Sequence, residues 1–131
     1  MERLLVRADG ASRGNPGPAA IGATIRDEQG RLLASISQAI GRATNNQAEY
    51  RAVIAALEGA IRLGARWVEI GTDSQLVVRQ LKGSYRVKAA SLKPLHQQLR
   101  QLLSKLDGYQ VIHVPREENP EADALARAAL R

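Results

Sequence analysis

The spacing of apolar residues changes at Gly41, and this change limits the folds open to the chain. Before Gly41, apolar residues alternate with other residues in three segments, as in strands that bury one face. The alternating sets are Leu4, Val6 and Ala8, then Ala19, Ile21, Ala23 and Ile25, then Leu32, Ala34, Ile36 and Ile40. A short DEQG segment joins the second set to the third, which is typical of a hairpin. The first third of the chain therefore predicts an antiparallel meander.

After Gly41, apolar residues recur at helical spacing. They predict a helix from about Asn46 to Leu63, capped by Thr44 or Asn45 and ended by Gly64. The same criteria predict five further elements: the strand RWVEIGT, the short helix SQLVVRQL, a helix with a leucine stripe from Leu92 to Leu106 that stops at Asp107-Gly108, the strand YQVIHV, and a last helix EADALARAALR capped by Asn119.

The element order βββ-α-β-α-α-β-α predicts an α/β fold with a mixed five-stranded sheet. Its first three strands are antiparallel and helices cover both faces, because a strand that follows a crossover helix normally returns parallel. A length of 131 residues with 44% apolar content suits one domain over residues 1–131. No segment has the length and composition of a signal peptide or membrane span, so we expect a cytoplasmic protein without a membrane partner.

Four acidic residues occupy positions that strands and buried helix faces disfavour. Asp9 follows an alternating strand and precedes Gly10, where we expect the chain to turn. Asp73 ends a strand and starts a helix, so each of these two residues has a structural interpretation, as a turn former or a helix cap. Glu49 and Asp123 share helix faces with apolar residues, where a carboxylate without a partner is costly.

Taken together, the four acids predict a metal site. Strands one and four are expected to be neighbours, and the carboxyl ends of such strands commonly carry the sites of α/β sheets. Four carboxylates in one pocket repel each other, and two Mg²⁺ ions would balance their charge with the oxygen ligands that Mg²⁺ prefers. Since the chain has no cysteine, thiolate zinc sites and thiol catalysis are excluded. Its two histidines are too few for an imidazole-rich metal centre. The predicted chemistry is two-metal phosphodiester hydrolysis.

The basic charge of the chain fits a polyanionic partner. The formal net charge is +6, although such a balance is also common in proteins that bind no nucleic acid.

Four segments, which together span nearly the whole chain, resemble ribonuclease H type 1. They read, in order, DGASRGNPGPAAIG, TNNQAEYRAVIAALEGA, TDSQLVVRQLKG and HVPREENPEADALARAAL. The resemblance implies the ribonuclease H-like fold and an endonuclease that hydrolyses the RNA strand of RNA–DNA hybrids, leaving 5′-phosphate and 3′-hydroxyl ends. It also implies that Asp9, Glu49, Asp73 and Asp123 bind the catalytic metal, Mg²⁺ or alternatively Mn²⁺.

The resemblance further implies a set of polar residues that contact the hybrid. Asn and Gln can donate to and accept from 2′-hydroxyls and base edges in a wide minor groove, and a helix start can receive a phosphate. Two of these residues keep a structural alternative. The alternative for Asn15 is a residue that only shapes its turn, and for Asn45 it is a residue that only caps a helix. The set comprises Ser12, Asn15, Thr44, Asn45, Asn46 and Gln75.

The chain departs from many family members in two places. The loop before the last acid carries Arg116 where many relatives carry histidine, as in the shorter archaeal-like branch, and we expect Arg116 to contact phosphate or the leaving group. His113 lies earlier and is interpreted as a packed strand residue. The basic protrusion of some relatives is missing, and Lys82, Arg86, Lys88 and Lys93 either replace it in part or form a solvated helix end.

Two other functions are compatible with these patterns. A DNA-cutting nuclease of the same fold is one, and a catalytically silent module that binds hybrids is the other, although the presence of all four acids argues against silence. We expect a monomer, and double-stranded RNA is a possible second substrate because relatives without the protrusion are thought to cut it.

Overall fold

A computed structural model of the protein describes residues 3–130. Met1, Glu2 and Arg131 lie outside the described residues, and with them the ends of the expected domain and the last residue of the last predicted helix. The described part contains β1 (Arg3–Ser12), β2 (Gly17–Asp27), β3 (Leu32–Ala43), α1 (Asn45–Arg62), β4 (Trp67–Thr72), α2 (Gln75–Leu81), α3 (Lys93–Leu103), β5 (Gly108–His113), a 3₁₀ turn (Arg116–Glu118) and α4 (Pro120–Ala129). None of these helices is long and apolar enough to cross a membrane.

The strands form one sheet in the order β3-β2-β1-β4-β5. Strands β1, β2 and β3 pair antiparallel, whereas β4 pairs parallel with both β1 and β5. The predicted mixed five-stranded sheet is therefore confirmed. The parallel pairing of β1 with β4 ends at Ala8 opposite Thr72, so residues that follow these two positions lie at one edge of the sheet.

Helices cover both faces of the sheet, as predicted. Alternate residues of β1, namely Leu4, Val6 and Ala8, are fully buried on the face against which α1 packs. On the opposite face α4 lies across β2, where Gly22 leaves room for the helix backbone. A Cβ atom at Gly22 would lie 2.2 Å from the carbonyl oxygen of Ala122. The absence of a side chain at this position thus allows α4 to approach the sheet.

Strand β1 continues past Asp9, and the predicted turn at Gly10 is wrong. Asp9 pairs with Gly22, and the antiparallel pairing runs on to Ser12. Gly10 is instead the point where α1 crosses the strand, because a Cβ atom there would lie 2.3 Å from the carbonyl carbon of Ala48. The glycine is needed for close backbone contact rather than for a turn.

The cap predicted for α1 is confirmed at Thr44, whereas the cap of α2 is not the predicted Asp73. Thr44 caps α1 through a capping box, in which its hydroxyl accepts the Gln47 N–H at 3.1 Å and the Gln47 side chain accepts the Thr44 N–H at 2.8 Å. In α2 the cap is Ser74, whose hydroxyl accepts the Val77 N–H. The Asp73 side chain is therefore not engaged as the helix cap.

Helix α3 ends earlier than its leucine stripe predicted. It stops at Leu103, and Leu106 then donates its N–H to the Leu103 carbonyl in a tighter turn. The Asp107 N–H donates to the Arg66 carbonyl at 2.7 Å, which aligns the chain for β5 beside β4. Leu106 still packs on the core from outside the helix.

Candidate metal centre

Three carboxylates meet where β1, α1 and β4 come together. Asp9, Glu49 and Asp73 each offer a carboxylate oxygen, and these oxygens all lie within 4.8 Å of one another. Asp9 lies in β1 directly after the end of its parallel pairing with β4, and Asp73 directly follows β4. Glu49 reaches the pair from α1, where its Oε1 accepts the Gly10 N–H at 2.6 Å.

The fourth acid, Asp123, approaches from α4. It lines the same pocket as the other three acids, and its carboxyl group contributes to the raised pKa of Asp9. It also forms an ion pair with Arg127, one helical turn further on, whose Nε lies 3.1 Å from the Asp123 Oδ2. Asp123 thus belongs to the same pocket and, within residues 3–130, is the one of the four acids with a protein cation as partner.

A buried oxygen of Asp73 tests whether these residues fit a cation. Asp73 Oδ1 is buried and has no hydrogen-bond partner among the described residues. An unpartnered buried carboxylate oxygen is costly, and hard divalent cations take oxygen ligands of this kind. The carboxylates of Asp9 and Glu49 lie beside it. The donor set therefore fits a hard divalent cation.

Burial and mutual repulsion change the acidity of this group. Burial raises the pKa of Glu49 to about 9, with further contributions from the carboxylates of Asp9 and Asp73. Burial likewise raises the pKa of Asp9 to about 7, helped by the neighbouring Asp73 and Asp123. Without a cation the pair therefore binds protons more tightly than ordinary carboxyl groups do, and a cation that binds there would compete with protons.

Removing the charge of Glu49 is expected to stabilise the metal-free protein at alkaline pH. A carboxyl pKa that folding raises costs no stability below its unfolded value. The cost grows as pH rises from the unfolded value and is complete above the folded value. In EDTA, Glu49→Gln should therefore unfold at the same temperature as the parent near pH 4. By pH 9 it should be more stable by roughly 1–3 kcal/mol.

Thermal unfolding followed by circular dichroism from pH 4 to 9 measures this difference. The exposed Glu28 of the β2–β3 hairpin offers a matched control, and Glu28→Gln should follow the parent at every pH. If Glu49→Gln and the parent lost stability in parallel, the Glu49 charge would not carry the cost.

Of the expected substrate residues, Ser12 and Asn45 line the pocket of the acids. Ser12 Oγ donates to the Ala43 carbonyl at 2.9 Å, so it also ties the end of β1 to the end of β3. Asn15 Oδ1 accepts the Asn45 N–H at 3.0 Å, which fixes the β1–β2 loop against the start of α1. Asn15 thus has a structural contact with the start of α1, and its contact with a substrate stays a prediction.

The remaining expected substrate residues lie around the pocket rather than in it. The Thr44 hydroxyl is engaged in the cap of α1, and Asn46 is exposed in the first turn of that helix. Gln75 is exposed at the start of α2 and lines a separate depression together with Arg79 and His113. His113 is exposed, so its interpretation as a packed strand residue is wrong, because β5 is an edge strand.

Three more residues complete the surroundings of the acids. Arg116 is exposed in the 3₁₀ turn and lines the pocket, as does Arg127. Asn119 precedes α4 without capping it by its side chain, contrary to expectation, and its Nδ2 donates instead to the Ala8 carbonyl at 3.1 Å. The sequence reasoning overlooked Arg127, although its spacing from Asp123 was a usable signal. No local pattern identifies the Asn119 contact, because Ala8 is 111 positions away.

Comparison with known proteins agrees with this geometry. The sequence profile of the family described as "Reverse transcriptase-like" matches residues 7–129. Ribonuclease HI of Halobacterium salinarum is 49% identical over 122 residues, which are 93% of this chain and 61% of that protein. Ribonuclease H of Halorhodospira halophila is 38% identical, and the match covers 93% of this chain and 89% of that protein. The chain belongs to the ribonuclease H family.

Solved ribonuclease H structures superimpose closely on this one. The crystal structure of ribonuclease H1 from Halobacterium salinarum matches with a TM-score of 0.95 at 48% identity, covering 98% of this chain and 97% of that one. The N-terminal ribonuclease H domain of a Mycobacterium tuberculosis protein matches with a TM-score of 0.95 at 45% identity, covering 98% and 99%. LC11-RNase H1, solved in complex with an RNA/DNA hybrid, matches with a TM-score of 0.92 at 40% identity, covering 97% and 96%.

The match to whole relatives is partial. The chain spans 61% of the Halobacterium salinarum protein and 35% of the bifunctional Mycobacterium tuberculosis protein. The similarity therefore concerns the ribonuclease H part of these longer proteins.

Proposed function

We propose that the chain is an endonuclease that hydrolyses the RNA strand of RNA–DNA hybrids by a two-metal mechanism, leaving 5′-phosphate and 3′-hydroxyl ends. The observation that carries the proposal is the group of Asp9, Glu49 and Asp73, whose carboxylate oxygens lie within 4.8 Å of one another in a pocket that Asp123 also lines. The similarity to LC11-RNase H1, which was solved with a hybrid, supports the choice of substrate.

The four carboxylates would hold two Mg²⁺ ions, and Mn²⁺ is the alternative cation. When bound, such cations activate the attacking water and stabilise the oxygen that leaves. The protein contributes fixed carboxylates, and the hydrogen bond from the Gly10 N–H to Glu49 fixes one of them relative to β1. Asp73, Asp123 and Glu49 all affect the pKa of Asp9, so we assign Asp9 a position among the other three acids.

Contacts with the hybrid would come from the loops and helix starts around this pocket. Ser12 and Asn45 line it, and Asn15, Thr44, Asn46 and Gln75 lie at nearby loop and helix ends. Their amide and hydroxyl groups suit the 2′-hydroxyls and base edges of a wide minor groove. We further propose that the chain acts as a monomer, and that double-stranded RNA is a second possible substrate.

One assay tests the proposal against its alternatives. The purified protein is incubated with labelled RNA–DNA hybrid, duplex DNA or duplex RNA, in Mg²⁺ or in EDTA. Cleavage of the RNA strand of the hybrid in Mg²⁺ but not in EDTA supports the proposal. Additional cleavage of duplex RNA supports duplex RNA as a second substrate. Cleavage of duplex DNA would instead indicate a DNA nuclease, and binding of the hybrid without cleavage would indicate a silent module.

Arg116 is expected to assist the reaction from the 3₁₀ turn. Arg116 lines the pocket of the acids, and from there its guanidinium would contact a substrate phosphate or the leaving oxygen. Arg116→Ala should therefore lower the single-turnover cleavage rate by about 10- to 100-fold.

The rate is measured on a labelled hybrid under single-turnover and multiple-turnover conditions. Arg62→Ala removes an exposed guanidinium at the end of α1 and should cleave like the parent. Full turnover by Arg116→Ala under both conditions would remove Arg116 from the mechanism.

A further inference from the structure

The ion pair between Arg127 and Asp123 distinguishes one acid of the pocket from the other three. Arg127 Nε lies 3.1 Å from Oδ2 and 3.3 Å from Oδ1 of Asp123, so one donor contacts both carboxylate oxygens. The two residues are four positions apart on α4, where such side chains are neighbours. Both line the pocket that contains Asp9, Glu49 and Asp73.

We infer that Arg127 is a positioning residue that holds the Asp123 carboxylate while no cation is bound and competes with the cation for it. This inference rests on the proposed function, because it concerns the same four carboxylates. It adds that the metal centre has two parts, the group of three acids and Asp123, which differ in whether a protein cation must leave before a metal ion binds. The group of three is open to a cation directly, whereas recruitment of Asp123 requires that Arg127 release it.

The hydrogen-bond and ion-pair partners of the acids distinguish Asp123 from the group of three. Glu49 accepts a neutral backbone N–H from Gly10, and Asp73 Oδ1 has no hydrogen-bond partner among the described residues. Asp123 is the member of the four for which an ion pair is observed within the described part of the chain. A cation that binds the open group therefore displaces no protein cation, but a cation that also takes Asp123 does.

Electrostatics makes the two partners of Asp123 competitors. A guanidinium in contact with both carboxylate oxygens engages the atoms that would also bind a metal ion, and two positive charges close to one carboxylate would repel each other. The pair is weak enough to exchange, because the Arg127 side chain is 65% exposed and helical ion pairs of this kind contribute little in water. Arg127 should thus lower cation affinity without blocking cation binding.

The test measures cation binding in the absence of nucleic acid. The full chain is first treated with EDTA and dialysed, and Mn²⁺ is then titrated into it. Binding is followed by isothermal titration calorimetry and by the loss of the electron paramagnetic resonance signal of free Mn²⁺. Arg127→Gln should bind Mn²⁺ about two- to fivefold more tightly than the parent, the range that corresponds to an exposed ion pair. Arg127→Lys keeps the charge and should stay near the parent.

Arg26 provides the matched control. It donates to Glu121, also on α4, at 2.7 Å, but it does not line the pocket of the acids. Arg26→Gln removes the same charge and an ion pair from the same helix, so it should leave Mn²⁺ affinity unchanged. A double-mutant cycle completes the design, because in the Asp123→Asn background Arg127→Gln should no longer change the affinity.

Equal or weaker Mn²⁺ binding by Arg127→Gln would overturn the inference, as would an unchanged effect in the Asp123→Asn background. These outcomes are separate from the failure of the proposed function. A protein that binds Mn²⁺ with the expected dependence on Arg127 but leaves hybrids intact would refute the nuclease and retain the competition. Hybrid cleavage with no dependence of Mn²⁺ affinity on Arg127 would do the opposite.

Discussion

Asp9→Asn should reduce cleavage of the RNA–DNA hybrid by about 10³-fold or more while the protein stays folded. Each of the other three acids affects the pKa of Asp9, and its loss would deprive the centre of a carboxylate that lies among them. Asparagine has nearly the same shape and keeps one oxygen, so the pairing of β1 with β2 should be retained. The single-turnover rate in Mg²⁺ measures the loss of function, and thermal unfolding in EDTA measures the fold.

Thermal unfolding in EDTA gives a second, independent test of this prediction. Because burial raises the pKa of Asp9, its charged form is unfavourable in the metal-free protein, and Asp9→Asn should unfold at the same or a higher temperature in EDTA at pH 8. Asp107→Asn is the control, since Asp107 is exposed and pairs with Arg66 outside the pocket. Cleavage by Asp9→Asn within tenfold of the parent would remove Asp9 from the metal centre.

Gly10→Ala should destabilise the protein by about 2–4 kcal/mol, a large effect for the addition of one methyl group. The new Cβ atom would lie 2.3 Å from the carbonyl carbon of Ala48 and 2.5 Å from the Glu49 nitrogen, so the α1 backbone would have to move. Glu49 would move with it and weaken its bond to the Gly10 N–H. Chemical denaturation measures the loss of stability, and hybrid cleavage at a temperature where the variant is folded should fall as well.

Gly59→Ala is the matched control for this substitution. Gly59 lies in α1, and a Cβ atom there would approach only the tip of the Ile25 side chain, at 2.8 Å. Alanine also favours a helix interior over glycine by roughly 1 kcal/mol, so the net change should stay within about 1 kcal/mol of the parent. If Gly10→Ala were as mild as Gly59→Ala, the close contact between β1 and α1 would not be rigid.

The architecture could be predicted from the sequence because periodicity reports which residues are buried. The three alternating segments and the apolar repeat after Gly41 correspond to β1 to β3 and α1, and element order then restricts the sheet to a few topologies. The ends of individual strands and helices were harder to predict from the sequence. Asp9 ended the predicted first strand because an acid is disfavoured within one, yet pairing with Gly22 continues the strand. That pairing is a tertiary fact without a local signal.

The candidate site was predictable for a different physical reason. A carboxylate on a buried face is costly, so Glu49 and Asp123 stood out as residues that required a partner. The partners themselves could not be predicted. The Gly10 N–H reaches Glu49 across 39 positions, and the pocket is formed only when β1, α1, β4 and α4 are packed together. The exception is Arg127, which lies within one helical turn of Asp123.

The hydrogen bond from Asn119 to the Ala8 carbonyl links the last helix to the strand that carries Asp9. A short helix is a common unit of local unfolding, and here α4 also carries Asp123. Opening of α4 alone would break this bond and withdraw one carboxylate while leaving the other three in their places. Any ligand that requires Asp123 would bind the closed form only and would slow hydrogen exchange in α4. The stability of one short helix, rather than that of the whole sheet, would then limit how long the complete centre persists.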